Sequence, residues 1–258
     1  MPGIKLLVNG VAGAGKTDLL RTLDPKTTFV VSRDAKAFPL RLPHMMVETY
    51  YDASTLCYGS DKTVDGEKIH IEGITDKMEA FNTRFGFYPS TIVIDSVSQI
   101  FMDIIDKASQ KPNVYGSQGA EINKEIAILT SFVHEYLEMN GIDVILLNHV
   151  VEEKADGKPT GVLEAFGSGK FLQKGGFYST VNESITVYIS GTHRMVHTRE
   201  KDKCARTMLP DLPDKMYVEN TVYPDKSKAL KEDEIYFSLA SHMEKLRANL
   251  SDLGEFSF

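Results

Sequence analysis

Lys5-Leu6-Leu7-Val8-Asn9-Gly10-Val11-Ala12-Gly13-Ala14-Gly15-Lys16-Thr17 is the stretch from which the rest of the chain can be read. Its first five residues form an apolar run of strand length, and the next eight spell G-x-x-x-x-G-K-T, a complete phosphate-binding loop. Glycines allow backbone conformations closed to other residues and turn successive N–H groups inward. A phosphate would then rest against the start of the helix that begins near Lys16. The pattern assigns Gly10, Val11, Ala12, Gly13, Ala14, Gly15, Lys16, Thr17 and Asp18 to a nucleotide cradle. Lys16 is expected to meet the β and γ phosphates and Thr17 to hold Mg²⁺, with ATP as the nucleotide.

Such a loop needs a second carboxylate near the metal, delivered by a neighbouring strand. Thr91-Ile92-Val93-Ile94-Asp95-Ser96 fits: four strand-favouring residues end in an acid, which a parallel sheet would present at its carboxyl edge. Asp95 is therefore the second expected Mg²⁺ ligand. Two further apolar runs end in polar residues, Thr28 to Ser32 before Arg33-Asp34, and Asp143 to Leu147 before Asn148-His149. Helical spacing fits Thr17 to Leu23, Asp76 to Phe85 with an Asp76/Glu79 capping box, Ser98 to Ala108, and Ala120 to Asn140 with Gly141 as its stop. Strands alternating with helices imply an α/β fold with a mainly parallel sheet and right-handed crossovers. Lys68 to Ile71 reads as a short extra strand.

The chain has 258 residues, 42% hydrophobic and 25% charged, the composition of a globular protein. It shows no apolar run of membrane-spanning length and no signal-peptide pattern at its start, so a cytoplasmic location without membrane contact is expected. Cys57 and Cys204 lie far apart with no metal-ligand spacing. The net charge of −7 argues against coating nucleic acid with the whole surface. Residues 150–206, however, carry nine basic against seven acidic side chains and form the one positive third of the chain.

The order of phosphate loop, acid after the second strand, Ile94-Asp95-Ser96 strand end and Leu147-Asn148-His149 strand end resembles the RecA-like core ATPases. Within these it is similar to the compact phage-encoded AAA-type nucleotide-binding proteins that include single-strand-annealing recombinases. The resemblance covers residues 4–208, and it implies a RecA-like P-loop core over 1–208 with a C-terminal extension over 209–258. It further implies that Asp34 stands where the family has a water-activating glutamate, one methylene shorter than that residue. His149, beside Asn148, would sense the γ-phosphate. Lys201 and Lys203, just after a predicted hairpin of Ser184–Ser190 and His193–Thr198, would match a Lys-x-Lys pair that reaches a neighbouring subunit's phosphate. The catalytic set implied is Lys16, Asp34, Asp95, His149, Lys201 and Lys203, working in a homo-oligomeric ring or filament, in a host cytoplasm if the chain is phage-encoded.

Residues 150–179 are Gly-rich and mix lysines with aromatic side chains, the two components of a single-strand nucleic-acid site. The resemblance puts a DNA-binding loop in this place, so Lys158, Lys170, Phe171, Lys174 and Phe177 are the expected contacts to single-stranded DNA, with a lid or an assembly surface as the other readings of the segment. His193 and His197 share one face of a strand without a third metal ligand nearby. Glu232 to Leu250 reads as an amphipathic helix followed by an acidic tail with terminal aromatics, read first as a frayed end and second as a tip that docks on a partner such as a single-strand-binding protein. The function implied is a DNA-stimulated ATPase in recombination, annealing or repair. Two alternatives stay open, a nucleotide kinase and a nucleotide-gated scaffold with little turnover.

Overall fold

The computed structural model describes residues 2–33, 38–64, 66–113, 116–155, 158–165, 179–191, 193–218 and 236–254. The chain is α/β, with a large, mixed and mostly parallel sheet flanked by helices. In chain order the elements are β1 (Lys5–Gly10), α1 (Lys16–Leu19), β2 (Thr28–Ser32), β3 (His44–Met46), α2 (Ala53–Tyr58), β4 (Ser60–Val64), β5 (Glu67–Ile71), α3 (Ile74–Phe85), β6 (Thr91–Asp95), α4 (Val97–Ser109), α5 (Ser117–Ser131), β7 (Asp143–Ala155), β8 (Lys158–Ala165), β9 (Glu183–Ser190), β10 (His193–His197), β11 (Lys215–Val218), β12 (Tyr236–Phe237) and α6 (Leu239–Gly254). Two compact units interleave along the chain. The first takes in the described residues within 2–3 and 25–146, and the second those within 4–24 and 147–165 and the described residues from 179 onward.

In the first unit the strand order is β7-β6-β2-β3. Strands β2 and β6 are buried along their whole length, as expected of near-continuous apolar runs in a parallel sheet. Their register pairs Ser32 with Asp95, so both strands finish in step, and Arg33 N donates to the Asp95 carbonyl at 2.6 Å. Ser96 then caps α4 by accepting from Gln99 N. The expected capping box at Asp76/Glu79 is not formed. Helix α3 starts two residues earlier, Asp76 reaches back to accept from Gly73 N at 2.8 Å, and Glu79 accepts from the Tyr88 hydroxyl at 2.7 Å.

The expected helix over 120–140 begins at Ser117 and does not stay regular. It widens into a π turn at Phe132–Leu137, tightens into a 3-10 turn at Glu138–Asn140, and stops at Gly141. Phe132 and Tyr136 stack in the wide turn, with Tyr58 edge-on to both. Residues 52–75 hold more structure than the single strand expected there: α2, capped by Asp52, and the β4–β5 hairpin.

In the second unit β1 pairs in parallel with β9, and the order continues through β10 and β11 to β12. The β9–β10 hairpin matches the one expected from sequence. The C-terminal helix also forms but begins at Leu239 rather than Glu232, and Ala240 N donates to Thr22 Oγ1 at 3.2 Å. Strand β7 does not end at His149. It continues to Ala155 and folds back on β8, Val150 facing Ala165 and Ala155 facing Lys158. The first half of the expected loop at 150–179 is therefore a hairpin, because Val150, Val151, Val162 and Leu163 supply strand-favouring positions on both arms. No helix among the described residues is long and apolar enough to cross a membrane.

Candidate functional site

The G-x-x-x-x-G-K-T segment forms a strand, a turn and the start of a helix. Strand β1 is buried throughout and leads into a turn where Gly13 and Gly15 take positive φ (78° and 93°), after which α1 starts at Lys16. Lys16 is only 6% exposed. Its Nζ donates to the carbonyls of Gly10 at 2.7 Å and Val11 at 3.2 Å, and lies 3.2 Å from His149 Nδ1. An ammonium group can only donate, so Nδ1 is the acceptor in this contact and the ring's proton sits on Nε2. The loop lysine and the expected phosphate sensor thus meet directly. Thr17, the next residue on α1, is half-buried.

A side chain that the sequence reading did not single out also reaches the loop. Arg194 of β10 lays its guanidinium against Gly15, where any Cβ would overlap it, and its Nη1 donates to Asp18 Oδ2 at 2.6 Å. Asp18 also accepts from Arg21 Nε at 2.8 Å. Partial burial pushes the Asp18 carboxyl up, but the two arginines outweigh it and hold the group below its ordinary value. Arg194 lies 176 residues from Asp18 in sequence, and no local pattern signals the pairing.

Behind the loop runs a buried polar chain. Asn148, beside the sensor, donates through Nδ2 to Asn9 Oδ1 at 3.0 Å, and Asn9 Nδ2 donates to Ser184 Oγ at 3.0 Å and to the Cys204 carbonyl at 3.1 Å. Ser184 Oγ closes the set by donating to the same carbonyl at 2.6 Å. The 201–206 turn that supplies this carbonyl is fastened to the β7–β8 hairpin: Lys203 Nζ donates to the Gly161 carbonyl and Cys204 Sγ to the Leu163 carbonyl. Lys203, expected to act on a neighbouring subunit, thus has a partner within its own chain. The side chain of Lys201 lies outside the described residues, as do Asp34, Lys170, Phe171, Lys174 and Phe177. Lys158 is exposed on β8.

In the first unit Asp95 ends β6 at 6% exposure, at the carboxyl edge where the sequence reading expected a metal ligand. Beside the end of β2 a polar cleft of about 530 Å³ is lined by Arg33, Tyr50, Asp52, Lys62, Asp103 and Lys107, among others. Its cations are largely neutralised, Arg33 by a two-pronged pair with Asp103 and Lys62 by Asp52. His193 and His197 do not form a metal site with other ligands, and no metal-binding cluster occurs among the described residues. His197 is buried, stacks on Tyr188 and lies 2.8 Å from Glu200 without hydrogen-bond geometry. The chain matches no protein-family model and no curated protein sequence.

Proposed function

We propose that the chain is an ATPase with a RecA-like P-loop core that binds single-stranded DNA and assists recombination, annealing or repair as a homo-oligomer. The observation that carries this reading is the contact between Lys16 Nζ and His149 Nδ1 in a loop whose Gly13 and Gly15 have the required positive φ. It joins the charge that would meet the terminal phosphates to a ring on the strand that leads into the β7–β8 hairpin.

Within the second unit the donor set suits Mg²⁺-ATP: a turn with positive φ at Gly13 and Gly15, a buried lysine and the Thr17 hydroxyl. Thr17 would hold the metal, which would supply charge neutralisation for phosphoryl transfer. Lys16 binds and orients, and it gives His149 a hydrogen bond that phosphate oxygens would compete for. His149 can then turn away from the lysine, and Asn148, Asn9, Ser184 and the Cys204 carbonyl offer a connected route to the turn that holds the hairpin. The positive charge balance of residues 150–206 supports a nucleic-acid partner on that side of the chemistry.

The test is ATP hydrolysis by the purified chain with and without single-stranded DNA at two salt concentrations. Stimulation that fades with salt is the expected result. Turnover indifferent to DNA would remove the DNA half of the proposal, and no nucleotide binding at all would remove both halves.

A further inference from the structure

We infer that Arg194 is a second cationic ligand for the phosphate chain, delivered from β10 of the same chain and oriented by Asp18. This rests on the proposed nucleotide-binding reading and adds a residue that the G-x-x-x-x-G-K-T pattern does not contain. Three observations carry it. The flat face of the guanidinium lies against Gly15, the atoms nearest to an added Cβ being Cζ and Nε at 2.2 Å and Nη2 at 2.5 Å. The Nε and Nη2 edge, the two-donor fork with which arginine grips phosphate and carboxylate groups, borders the loop at that residue. Nη1, on the other side, is already engaged by Asp18 Oδ2 at 2.6 Å, so the ion pair holds the guanidinium beside the loop without using the fork. Third, Nε is buried and makes no hydrogen bond, a costly arrangement for a charged donor unless a ligand supplies its acceptor.

Asp18 is then a positioning residue. Its carboxylate follows Lys16-Thr17 directly and would by itself repel a phosphate, but Arg21 and Arg194 take up one oxygen each. Because β10 belongs to the hairpin of β9, whose partner β1 leads into the loop, the arginine arrives from within the same unit.

The experiment measures binding of ATP and of inorganic tripolyphosphate to the full chain and to Lys16→Ala, Arg194→Ala, Arg194→Lys and Asp18→Asn. Arg194→Ala is expected to weaken both ligands by roughly ten- to hundred-fold. Arg194→Lys should recover only part of this, since lysine has a charge but no fork. Asp18→Asn should tighten both, because the amide oxygen can still accept from Nη1 and hold the guanidinium in place while a nearby negative charge is removed. The inference is overturned if the wild type binds ATP, Lys16→Ala loses it, and Arg194→Ala stays within about two-fold of wild type. It is also overturned if ATP weakens while tripolyphosphate does not, which would make Arg194 a nucleoside contact, or if Asp18→Asn weakens both ligands as Arg194→Ala does, which would make the pair a structural clasp. Should Arg194→Ala fail to fold, Arg194→Lys and Asp18→Asn decide. A wild type that binds neither ligand would overturn the nucleotide-binding reading itself.

Discussion

Lys16 and His149 stand 133 residues apart in sequence, yet their nitrogens lie 3.2 Å apart, the ammonium donating and Nδ1 accepting. The contact needs a neutral ring, because a protonated imidazole would present a second N–H to the ammonium. If His149 reads the terminal phosphate through this contact, its removal should leave binding and spoil the response. His149→Ala is expected to keep ATP affinity within a few-fold while DNA-stimulated turnover drops by about 10²-fold or more. Affinity and turnover falling together would instead make the ring part of the loop's architecture.

Lys16 supplies positive charge to the loop and also ties down the Gly10 and Val11 carbonyls. Lys16→Ala should therefore abolish measurable ATP binding, a loss of at least about 100-fold given the strength of charge-assisted contacts to phosphate. Thermal unfolding of the variant should remain cooperative, since strand β1 is held by its pairing with β9. Titration calorimetry beside a melting curve checks both statements.

Asn9 uses its amide to join Asn148, Ser184 and the Cys204 carbonyl inside the second unit. Asn9→Ala would leave Asn148 Nδ2 without this acceptor in a place where Asn148 is 1% exposed. A loss of about 1–3 kcal/mol in unfolding free energy is expected, larger than for Ser184→Ala. Urea denaturation of the two variants gives the comparison, and equal losses would mean that the amide is not the hub of the chain.

His197 gives stability a pH dependence of known sign. Burial depresses its pKa below the usual 6.5, helped by Lys215 and Lys203 and opposed by Glu200. The unfolded chain then takes up the proton more readily than the folded one, so the contribution of this group is complete above about pH 6.5 and falls away as pH drops towards the folded-state value. The urea midpoint of the wild type should decline from pH 7.5 to pH 5.5, and His197→Gln should flatten part of that decline.

The basic residues after His149 give a prediction in salt. Replacing Lys158, Lys170 and Lys174 together by alanine should weaken single-stranded DNA binding and lower the slope of log affinity against log salt by about 0.7 for each phosphate no longer neutralised. A triple variant with unchanged slope would take these lysines out of the interface.

Much of the site is legible in sequence because its signals are local. The positive φ values at Gly13 and Gly15, the buried run ending in Asp95 and the His193–His197 arm of a hairpin all follow from a few consecutive residues. The β7–β8 hairpin escapes such reading for the opposite reason: composition makes the segment look like a loop, while cross-strand partners at 150 and 165 make it a strand. Helix α3 starts ahead of Asp76 because that acid is the reciprocal partner three residues in and not the cap.

The amino-acid sequence by itself determined where the glycine-rich turn lies between β1 and α1, and that strands and helices alternate, because backbone sterics and hydrophobic periodicity act over a handful of residues. Tertiary structure alone decided that Arg194 covers Gly15, that His149 accepts from Lys16, and that Asn9 joins Asn148 to the turn at Cys204. Each of these is a contact across more than 130 residues, made by strand pairing whose register no short window of sequence contains.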